Sequence, residues 1–339
     1  MFEIMRKVLI TGIAGFIGHH FMDHFLVNTD WKIIGIESFK HKGIAERITD
    51  SEHYQKDPGR VEIFTHDLSV PISSILGSRI GRVDYIINLA SESHVERSII
   101  NPVPFVKNNI DLVLNILEYA RQYPPEKYIQ ISTDEVYGPV RDEAHKEWDS
   151  MIPSNPYSAS KGSQELIAIS YWRTYGLPII ITNTMNVIGE RQASEKFLPI
   201  CIKKILYREM IDIHSQDGEI GTRFYLHARN FADAILFILN NFPARLFPDY
   251  DRPERINIVG KTELSNLDLA EKIAEIMKIP LSYQLIDVNS SRPGYDLRYG
   301  MDGYRLEDAG YNFPVPFDES LEKTVNWHLK RENQEWLSS

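Results

Sequence analysis

Two side chains in the middle of the chain have types and a spacing that suit proton and hydride chemistry. Tyr157 and Lys161 are four residues apart, so on a helix they lie on one face. A lysine ammonium beside a phenol favours the phenolate and lowers the pKa of the tyrosine toward neutrality. The pair therefore predicts a base that takes a proton from an alcohol while hydride leaves the same carbon.

A second segment, Thr133–Glu135, places two adjacent carboxyl groups after a predicted strand. Oxidation of an alcohol does not need Asp134 and Glu135, whereas elimination of water uses both an acid and a base. Each motif is weak alone. A Tyr and a Lys four apart occur on many solvated helices, and Asp-Glu after a strand is often a solvated turn. Their weight depends on whether the fold brings them together.

The N-terminal segment has the pattern of a dinucleotide site. The apolar run at Lys7–Thr11 predicts a strand, and glycines at 12, 15 and 18 precede a stretch with helical periodicity. Glycines at this spacing allow a tight turn, a close approach of backbone N–H groups to a pyrophosphate, and close helix–strand packing. This context is more specific than a glycine-rich turn alone.

The second strand, Lys32–Ile36, leads into Glu37. A carboxylate at that strand end binds both ribose hydroxyls of adenosine and repels a 2′-phosphate. The pattern therefore predicts NAD rather than NADP. The alternative is that Glu37 is an ordinary solvated residue at the end of a strand.

Further apolar strands alternate with helices, which predicts an α/β fold with a Rossmann-like, doubly wound parallel sheet and a smaller C-terminal substrate-binding lobe. In such sheets ligands bind beyond the carboxyl ends of the strands. The motif residues that follow predicted strands are Gly12, Glu37, Asp67, Ala90 and Thr133. This convergence favours the catalytic interpretation over a solvated turn.

The pattern changes after about residue 185, where loops and short strands dominate. We therefore expect residues 1–185 to form the NAD-binding domain, with 225–257 returning to it. Residues 186–224 and 258–339 are expected to form the substrate-binding lobe.

Composition narrows the function classes. The 339 residues include 37 basic and 47 acidic side chains, and the net charge of −10 argues against a nucleic-acid or membrane surface. The single cysteine, Cys201, excludes an intramolecular disulfide and fits a reducing compartment. No apolar stretch reaches transmembrane length and the start lacks a signal-peptide pattern, so we expect a cytoplasmic protein. The histidines show no repeated ligand spacing, so no metal site is expected.

Taken together, the motifs resemble those of the extended short-chain dehydrogenase/reductases, and within them the nucleotide-sugar 4,6-dehydratases of the dTDP-glucose type. The resemblance runs over nearly the whole chain. It is carried by residues 11–18, 91–98, 131–138, 156–161, 195–199 and 292–299. The Thr-Asp-Glu and Arg-Pro-Gly stretches discriminate this subfamily, whereas the glycine motif and Tyr-x-x-x-Lys indicate only the superfamily.

The resemblance implies an internal redox cycle on an NDP-hexose, with an NDP-glucose as the expected substrate. Tyr157 would take the O4 proton, Lys161 would hold the ribose and lower the tyrosine pKa, and Thr133 would hydrogen-bond O4. Glu135 would remove the C5 proton and Asp134 would protonate the departing C6 hydroxyl. Hydride would pass from C4 to NAD and return to C6, giving an NDP-4-keto-6-deoxyhexose with the cofactor still bound.

The resemblance also implies contacts and an assembly. The residues expected at NAD are Gly12, Gly15, Phe16, Ile17, Gly18, Glu37, Asp67, Leu68, Leu89, Ala90, Ser91, Asn109, Tyr157 and Lys161. Those expected at the nucleotide sugar are Ser93, His94, Asn186, Lys196, Arg223, Asn257, Arg292 and Tyr295. Helices around 109–120 and 157–171 are expected to pair across a two-fold axis into a homodimer.

Several positions depart from the dTDP-glucose pattern, and most belong to the substrate lobe. Ile13 and Val187 replace a usual glycine and asparagine, Tyr295 replaces a usual histidine, and no tryptophan follows Arg223 by two residues. The nucleobase and the hexose therefore stay open. So do three other functions: a nucleotide-sugar 4-epimerase, a UDP-glucuronate decarboxylase, which typically has serine at position 134, and a non-catalytic NAD-binding sensor.

Overall fold

A computed structural model describes residues 5–40, 42–287 and 296–337. Its main feature is a seven-stranded sheet in which all neighbouring strands are parallel, in the order β11-β6-β5-β4-β1-β2-β3. The strands are β1 Lys7–Thr11, β2 Lys32–Glu37, β3 Val61–Thr65, β4 Tyr85–Asn88, β5 Lys127–Thr133, β6 Ile179–Thr184 and β11 Glu254–Ile258. The predicted Rossmann-like class is confirmed.

Helices cover both faces of this sheet. They are α1 Phe16–Asn28, α4 Ser74–Ile80, α6 Pro102–Gln122, α7 Pro156–Tyr175 and α9 Ala228–Asn241. Because successive strand side chains point to opposite faces, Ile10 joins the apolar cluster with Phe21 and Phe231, whereas Leu9 joins the cluster with Val113 and Ala168. Burial on both faces explains why the strands are apolar at nearly every position.

The remaining elements build a smaller lobe with its own apolar cluster, which includes Cys201, Ile213, Ile273 and Val325. Its three-stranded sheets consist of β7 Asn186–Ile188, β10 Thr222–His227 and β12 Thr262–Ser265, and of β8 Ile211–Gln216, β9 Glu219–Ile220 and β13 Tyr283–Asp287. Its larger helices are α8 Phe197–Leu206, α10 Asn266–Met277 and α12 Phe317–Leu329. The division at residue 185, with 225–257 returning, stays a prediction.

The described ranges also contain short α-helices, together with 3-10 helices at Pro58–Arg60, Asp134–Val136 and Arg331–Leu337. The short α-helices are α2 Glu46–Thr49, α3 Glu52–Lys56, α5 Val95–Ile100 and α11 Tyr304–Asp308. Within the described ranges, no helix combines the length and the apolar character that crossing a bilayer requires.

Candidate active site

A cleft of about 1010 Å³ lies at the carboxyl edge of the large sheet and extends to the smaller lobe. This volume is at the upper end for small-molecule sites, which suits a dinucleotide together with a second ligand. Every predicted site residue within the described ranges lines this cleft, with two exceptions. The convergence expected from the strand ends is therefore present in the structure.

The exceptions are Asn109 and Asn257, which are fully buried and do not line the cleft. The Asn109 amide donates to the Glu92 carbonyl at 3.1 Å and to Ser160 Oγ at 2.9 Å. The Asn257 amide donates to the backbone carbonyls of His145 and Asp302. In this structure both side chains satisfy buried partners, and their contacts with a ligand stay predictions. Arg292 and Tyr295 lie outside the described residues.

The glycine turn after β1 leaves room for a pyrophosphate. Gly12 has a φ of +68°, and a Cβ at this position would lie 3.4 Å from Ala90 Cα. A Cβ on Gly15 would lie 2.9 Å from the Gly12 carbonyl oxygen, and one on Gly18 would overlap that oxygen. Side chains at these positions would fill the turn from which α1 begins, where backbone N–H groups attract anions. The local structure therefore fits a dinucleotide cofactor.

Glu37 ends β2 and lines the cleft although its side chain is almost buried. Its carboxylate accepts hydrogen bonds from the backbone N–H groups of Ala14 at 3.0 Å, Ser38 at 2.9 Å and Phe39 at 3.3 Å. An ionised carboxylate has about four lone-pair sites, so capacity remains for a hydroxyl donor. Its negative charge at this strand end disfavours a 2′-phosphate.

Asp67 follows β3 at the same side of the cleft. Its carboxylate pairs with Lys40 Nζ at 2.6 Å and accepts from the Ser69 N–H at 2.9 Å. The hydrogen bond from Lys40 lowers the pKa of Asp67 to about 2. Asp67 is therefore an anion in the cleft at any physiological pH.

The catalytic turn begins where β5 ends. Thr133 Oγ donates to Asp134 Oδ1 at 2.8 Å, and Asp134 is only 5% exposed. Burial, followed by the nearby negative charge of Glu135, raises the pKa of Asp134 to about 7. A carboxyl group with this pKa retains its proton near neutrality and can deliver it, as a general acid must.

Glu135 is connected to the Tyr157 helix through Asn155, a residue that sequence reasoning missed. Asn155 Nδ2 donates to Glu135 Oε2 at 3.3 Å, and Asn155 Oδ1 accepts from the Ser158 N–H at 3.0 Å. Asn155 therefore caps α7 and contacts the predicted base at the same time. The Asn-Pro pair at 155–156 signalled the helix start, but spacing alone does not report the contact with Glu135.

Tyr157 and Lys161 lie on one face of α7 and both line the cleft, as their spacing predicts. Lys161 Nζ donates to the Ile131 carbonyl at 2.8 Å, and burial lowers the pKa of Lys161 to about 7. The sequence predicted a lowered pKa for Tyr157, and this direction is wrong when the protein groups act alone. Burial and the charges of Glu135 and Asp134 raise the pKa of Tyr157, and this effect exceeds the opposing hydrogen bond with Thr133.

The far side of the cleft presents Arg223 from β10. Its guanidinium donates to the backbone carbonyls of Thr222, Asp296 and Leu297 at 2.6–2.7 Å and lies 5.0 Å from the centre of the Tyr299 ring. Tyr299 also lines the cleft and is another residue that sequence reasoning missed, although it lies in the 292–299 motif. These contacts fix a cation at the substrate side.

Charged groups from three segments meet at the mouth of the cleft. Glu195 pairs with Lys42 at 3.2 Å and with Arg97 at 3.2 Å, and Lys196 Nζ donates to the Ser93 carbonyl at 3.3 Å. Burial lowers the pKa of His94, whose ring caps α5. Glu195 belongs to the 195–199 motif, but its role in joining the two sides of the cleft was not predicted.

The fold and the cleft define an NAD-binding enzyme of the extended short-chain dehydrogenase/reductase class. A family model described as GDP-mannose 4,6 dehydratase matches residues 9–322. A dTDP-glucose 4,6-dehydratase of Escherichia coli is 33% identical over 363 residues, covering 97% of this chain and 95% of the relative. The chain belongs to the nucleotide-sugar 4,6-dehydratases and is an NAD-dependent hydro-lyase.

Solved structures agree with this assignment. The structure of DesIV, a dTDP-glucose 4,6-dehydratase from Streptomyces venezuelae with NAD and TYD bound, has a TM-score of 0.84 and 30% identity and covers 97% of this chain and 98% of that one. A UDP-N-acetylglucosamine 4-epimerase from Methanobrevibacter ruminantium has a TM-score of 0.81 and 26% identity, with 96% and 99% covered. Epimerases therefore share the fold but are a secondary match.

Proposed function

We propose that this chain dehydrates an NDP-glucose to the NDP-4-keto-6-deoxy sugar, with Thr133, Asp134, Glu135, Tyr157 and Lys161 as its catalytic residues. The observation that carries the assignment is a buried carboxyl group with a pKa near neutrality, Asp134, in the same cleft as Tyr157. Oxidation at C4 alone, as in an epimerase, does not need this acid.

The oxidation half uses Tyr157, Lys161 and Thr133. Tyr157 takes the proton from the O4 hydroxyl, and Thr133 hydrogen-bonds that oxygen. Lys161 would stabilise the phenolate by its positive charge and would hold the cofactor ribose through a hydrogen bond. When bound, NAD would supply the hydride acceptor for C4 and the hydride donor for C6, and its positive charge in the cleft would favour the Tyr157 phenolate that the protein groups alone disfavour.

The elimination half uses the two carboxyl groups. The 4-ketone acidifies the C5 hydrogen, so Glu135 takes that proton. Asp134 gives its proton to the C6 hydroxyl, which leaves as water while the C5–C6 double bond forms. Hydride addition at C6 leaves an enolate at C5, and Glu135 gives the proton back to that carbon. Over the whole cycle Tyr157 has therefore gained the O4 proton and Asp134 has lost one, and exchange with solvent restores both groups after product release.

Cations at the lobe side are proposed to hold the diphosphate. Lys196 and Arg223 line the cleft there, and guanidinium and ammonium groups suit phosphate oxygens. Asn186, Ser93 and His94 line the same region and would complete the polar contacts. Arg292 and Tyr295 remain proposed substrate contacts from their motif alone.

We propose dTDP-glucose as the first substrate to test, because the relatives named above are dTDP-glucose 4,6-dehydratases. The experiment incubates the enzyme with dTDP-, UDP-, CDP- and GDP-glucose and with GDP-mannose, and detects a 4-keto-6-deoxy product by mass and by the ketone chromophore in base. Dehydration of one of the four glucose nucleotides supports the proposal, whereas dehydration of GDP-mannose alone would contradict the assignment to glucose. Epimerised sugar without loss of water would contradict it.

We also propose a homodimer formed by α6 and α7. These helices pack on each other within the chain and still present apolar side chains outward. Leu166 is 60% exposed and Val103 is 75% exposed. A second copy would cover this surface and complete a four-helix bundle. A cytoplasmic role in deoxysugar biosynthesis is consistent with the buried free thiol of Cys201 and with the proposed product.

A further inference from the structure

Gln164 is a fully buried polar residue on α7, one turn beyond the catalytic lysine. Its Oε1 accepts a hydrogen bond from Lys161 Nζ at 2.8 Å, and its Nε2 donates to the Asn109 carbonyl at 2.7 Å. An ammonium can only donate and a carbonyl can only accept, so these two partners fix the orientation of the amide. Gln164 therefore connects the lysine to the backbone of α6.

The contacts of Lys161 determine where its charge points. An ammonium has three N–H donors. One is used by the Ile131 carbonyl of β5 and one by Gln164 Oε1, each at 2.8 Å. One donor is left for the cleft that Lys161 lines. Among the described residues, loss of Gln164 would leave the Ile131 carbonyl as the acceptor that orients the ammonium.

We propose that Gln164 is a positioning residue that directs the Lys161 ammonium into the cleft and supports its charged form. The inference rests on the proposed function of Lys161. Asn109 provides the fixed end of this connection, because its side chain is itself held by the Glu92 backbone and by Ser160. Asn109, expected to touch NAD, thus acts on the cofactor site through Gln164.

The surroundings of Lys161 explain why a neutral acceptor matters. Burial disfavours the ammonium. Hydrogen bonds to the charged form favour it, and the carbonyl oxygens of Ile131 and Gln164 are placed to accept them. Titratable groups on α7 and on the elements packed against it include Tyr157 and Glu165 on α7, Asp134 and Glu135 on the catalytic turn, Glu96 and Arg97 on α5, and Lys107 and Asp111 on α6. Further along the same elements lie Glu118, Tyr119 and Arg121 on α6, Lys127 and Tyr128 on β5, and Tyr171, Arg173 and Tyr175 on α7. Glu165 forms an ion pair with Arg255. The side chains of Glu96, Arg97 and Lys107 are exposed. Lys107 and Asp111 each lie two residues from Asn109, so they point away from the side of α6 that Asn109 occupies.

The test compares two substitutions that change the acceptor in opposite directions. Gln164→Leu removes it, so the pKa of Lys161 should fall by about one to two units, the scale of one hydrogen bond to a charged group. Gln164→Glu places an anion beside the ammonium, so the pKa should rise. The direct readout is NMR titration of isotope-labelled lysine in the cofactor-free protein, with Lys161 assigned by its missing signal in Lys161→Met.

The kinetic readout isolates the oxidation half, in which Asp134 has no role. In a Glu135→Gln background, cofactor reduction is followed against pH in single turnovers. The alkaline limb should move to lower pH with Gln164→Leu and to higher pH with Gln164→Glu, because Lys161 acts in its charged form. Ser163→Ala is the matched control, since Ser163 lies beside Gln164 and its hydroxyl donates to the Ala159 carbonyl within the helix.

Each outcome decides the inference. Opposite shifts in both readouts, with the control unchanged, support it. If both substitutions lower activity equally but shift neither the Lys161 pKa nor the alkaline limb, Gln164 has only a structural role and the inference is overturned. If Gln164→Leu does not fold, an unshifted Gln164→Glu protein overturns it equally. If Lys161→Met keeps full activity, the proposed function of Lys161 fails, and that result is distinguishable from a failure of the role of Gln164.

Discussion

Substitution of Asp134 by asparagine should both stabilise the protein above neutral pH and abolish most of its activity. The pKa of Asp134 rises from the ordinary value of 3.8 to about 7, chiefly by burial. The folded protein therefore binds this proton more tightly than the unfolded chain does. Stability that is present below about pH 4 is lost as the pH rises through about 7, and the loss amounts to roughly 4 kcal/mol.

Asparagine at this position cannot ionise, so the variant should escape that loss. It also keeps an oxygen that can accept from Thr133 Oγ, as Asp134 does at 2.8 Å. Between about pH 5 and about pH 8, the free energy of unfolding of Asp134→Asn relative to wild type should increase by roughly 2–3 kcal/mol. Turnover should fall by about 10²–10⁴-fold, because the group that protonates the C6 hydroxyl is lost.

Denaturant titration at the two pH values, with the cofactor absent, measures the stability difference, and product formation measures turnover. Asp142→Asn, at an exposed carboxyl group in the loop that follows, is the matched control and should change neither. A stability difference that is the same at both pH values would refute the reasoning, because Asp134 would then titrate as a solvated carboxyl group.

Three further predictions follow from the site. Tyr157→Phe should abolish cofactor reduction. Glu135→Gln should allow cofactor reduction but not product formation, so the absorbance of reduced nicotinamide should accumulate. Normal turnover in Glu135→Gln would identify the carboxyl pair as a solvated turn. Calorimetry should show that NAD binds more tightly than NADP and that Glu37→Ala weakens NAD binding by about 1–3 kcal/mol, the scale of hydrogen bonds to a charged group; equal NADP affinity would contradict this. Light scattering at micromolar concentration should give a dimer that Leu166→Glu dissociates, and a monomeric wild type would exclude the proposed interface.

Most of the fold was predictable, because two local signals determine it. Apolar strands without polar alternation require cover on both faces, and the glycines at 12, 15 and 18 occur between a strand and a helix. The site followed from topology. Because parallel strands end at one edge, Glu37 and Thr133 had to meet there although they are far apart in the chain.

What could not be predicted depends on burial and on contacts between distant segments. Asn109 and Asn257 have the type of ligand-binding residues, but only the packing shows that neighbouring backbone groups use them. Gln164, three residues after Lys161, looks like any solvated helical residue until α6 is placed against it. The pKa of Tyr157 depends on two carboxyl groups from another segment, so the Tyr-x-x-x-Lys spacing alone predicted the wrong direction for the protein groups.

The central claim is that one sugar molecule is oxidised at C4 and reduced at C6 within a single closed cycle. The most direct measurement uses a mixture of NDP-glucose labelled with deuterium at C4 and unlabelled sugar of a different mass, followed by NMR and mass spectrometry of the product. Deuterium is expected in the C6 methyl group of the labelled molecules only. Deuterium lost to solvent or to added NAD, transferred to the unlabelled sugar, or retained at C4 would contradict it.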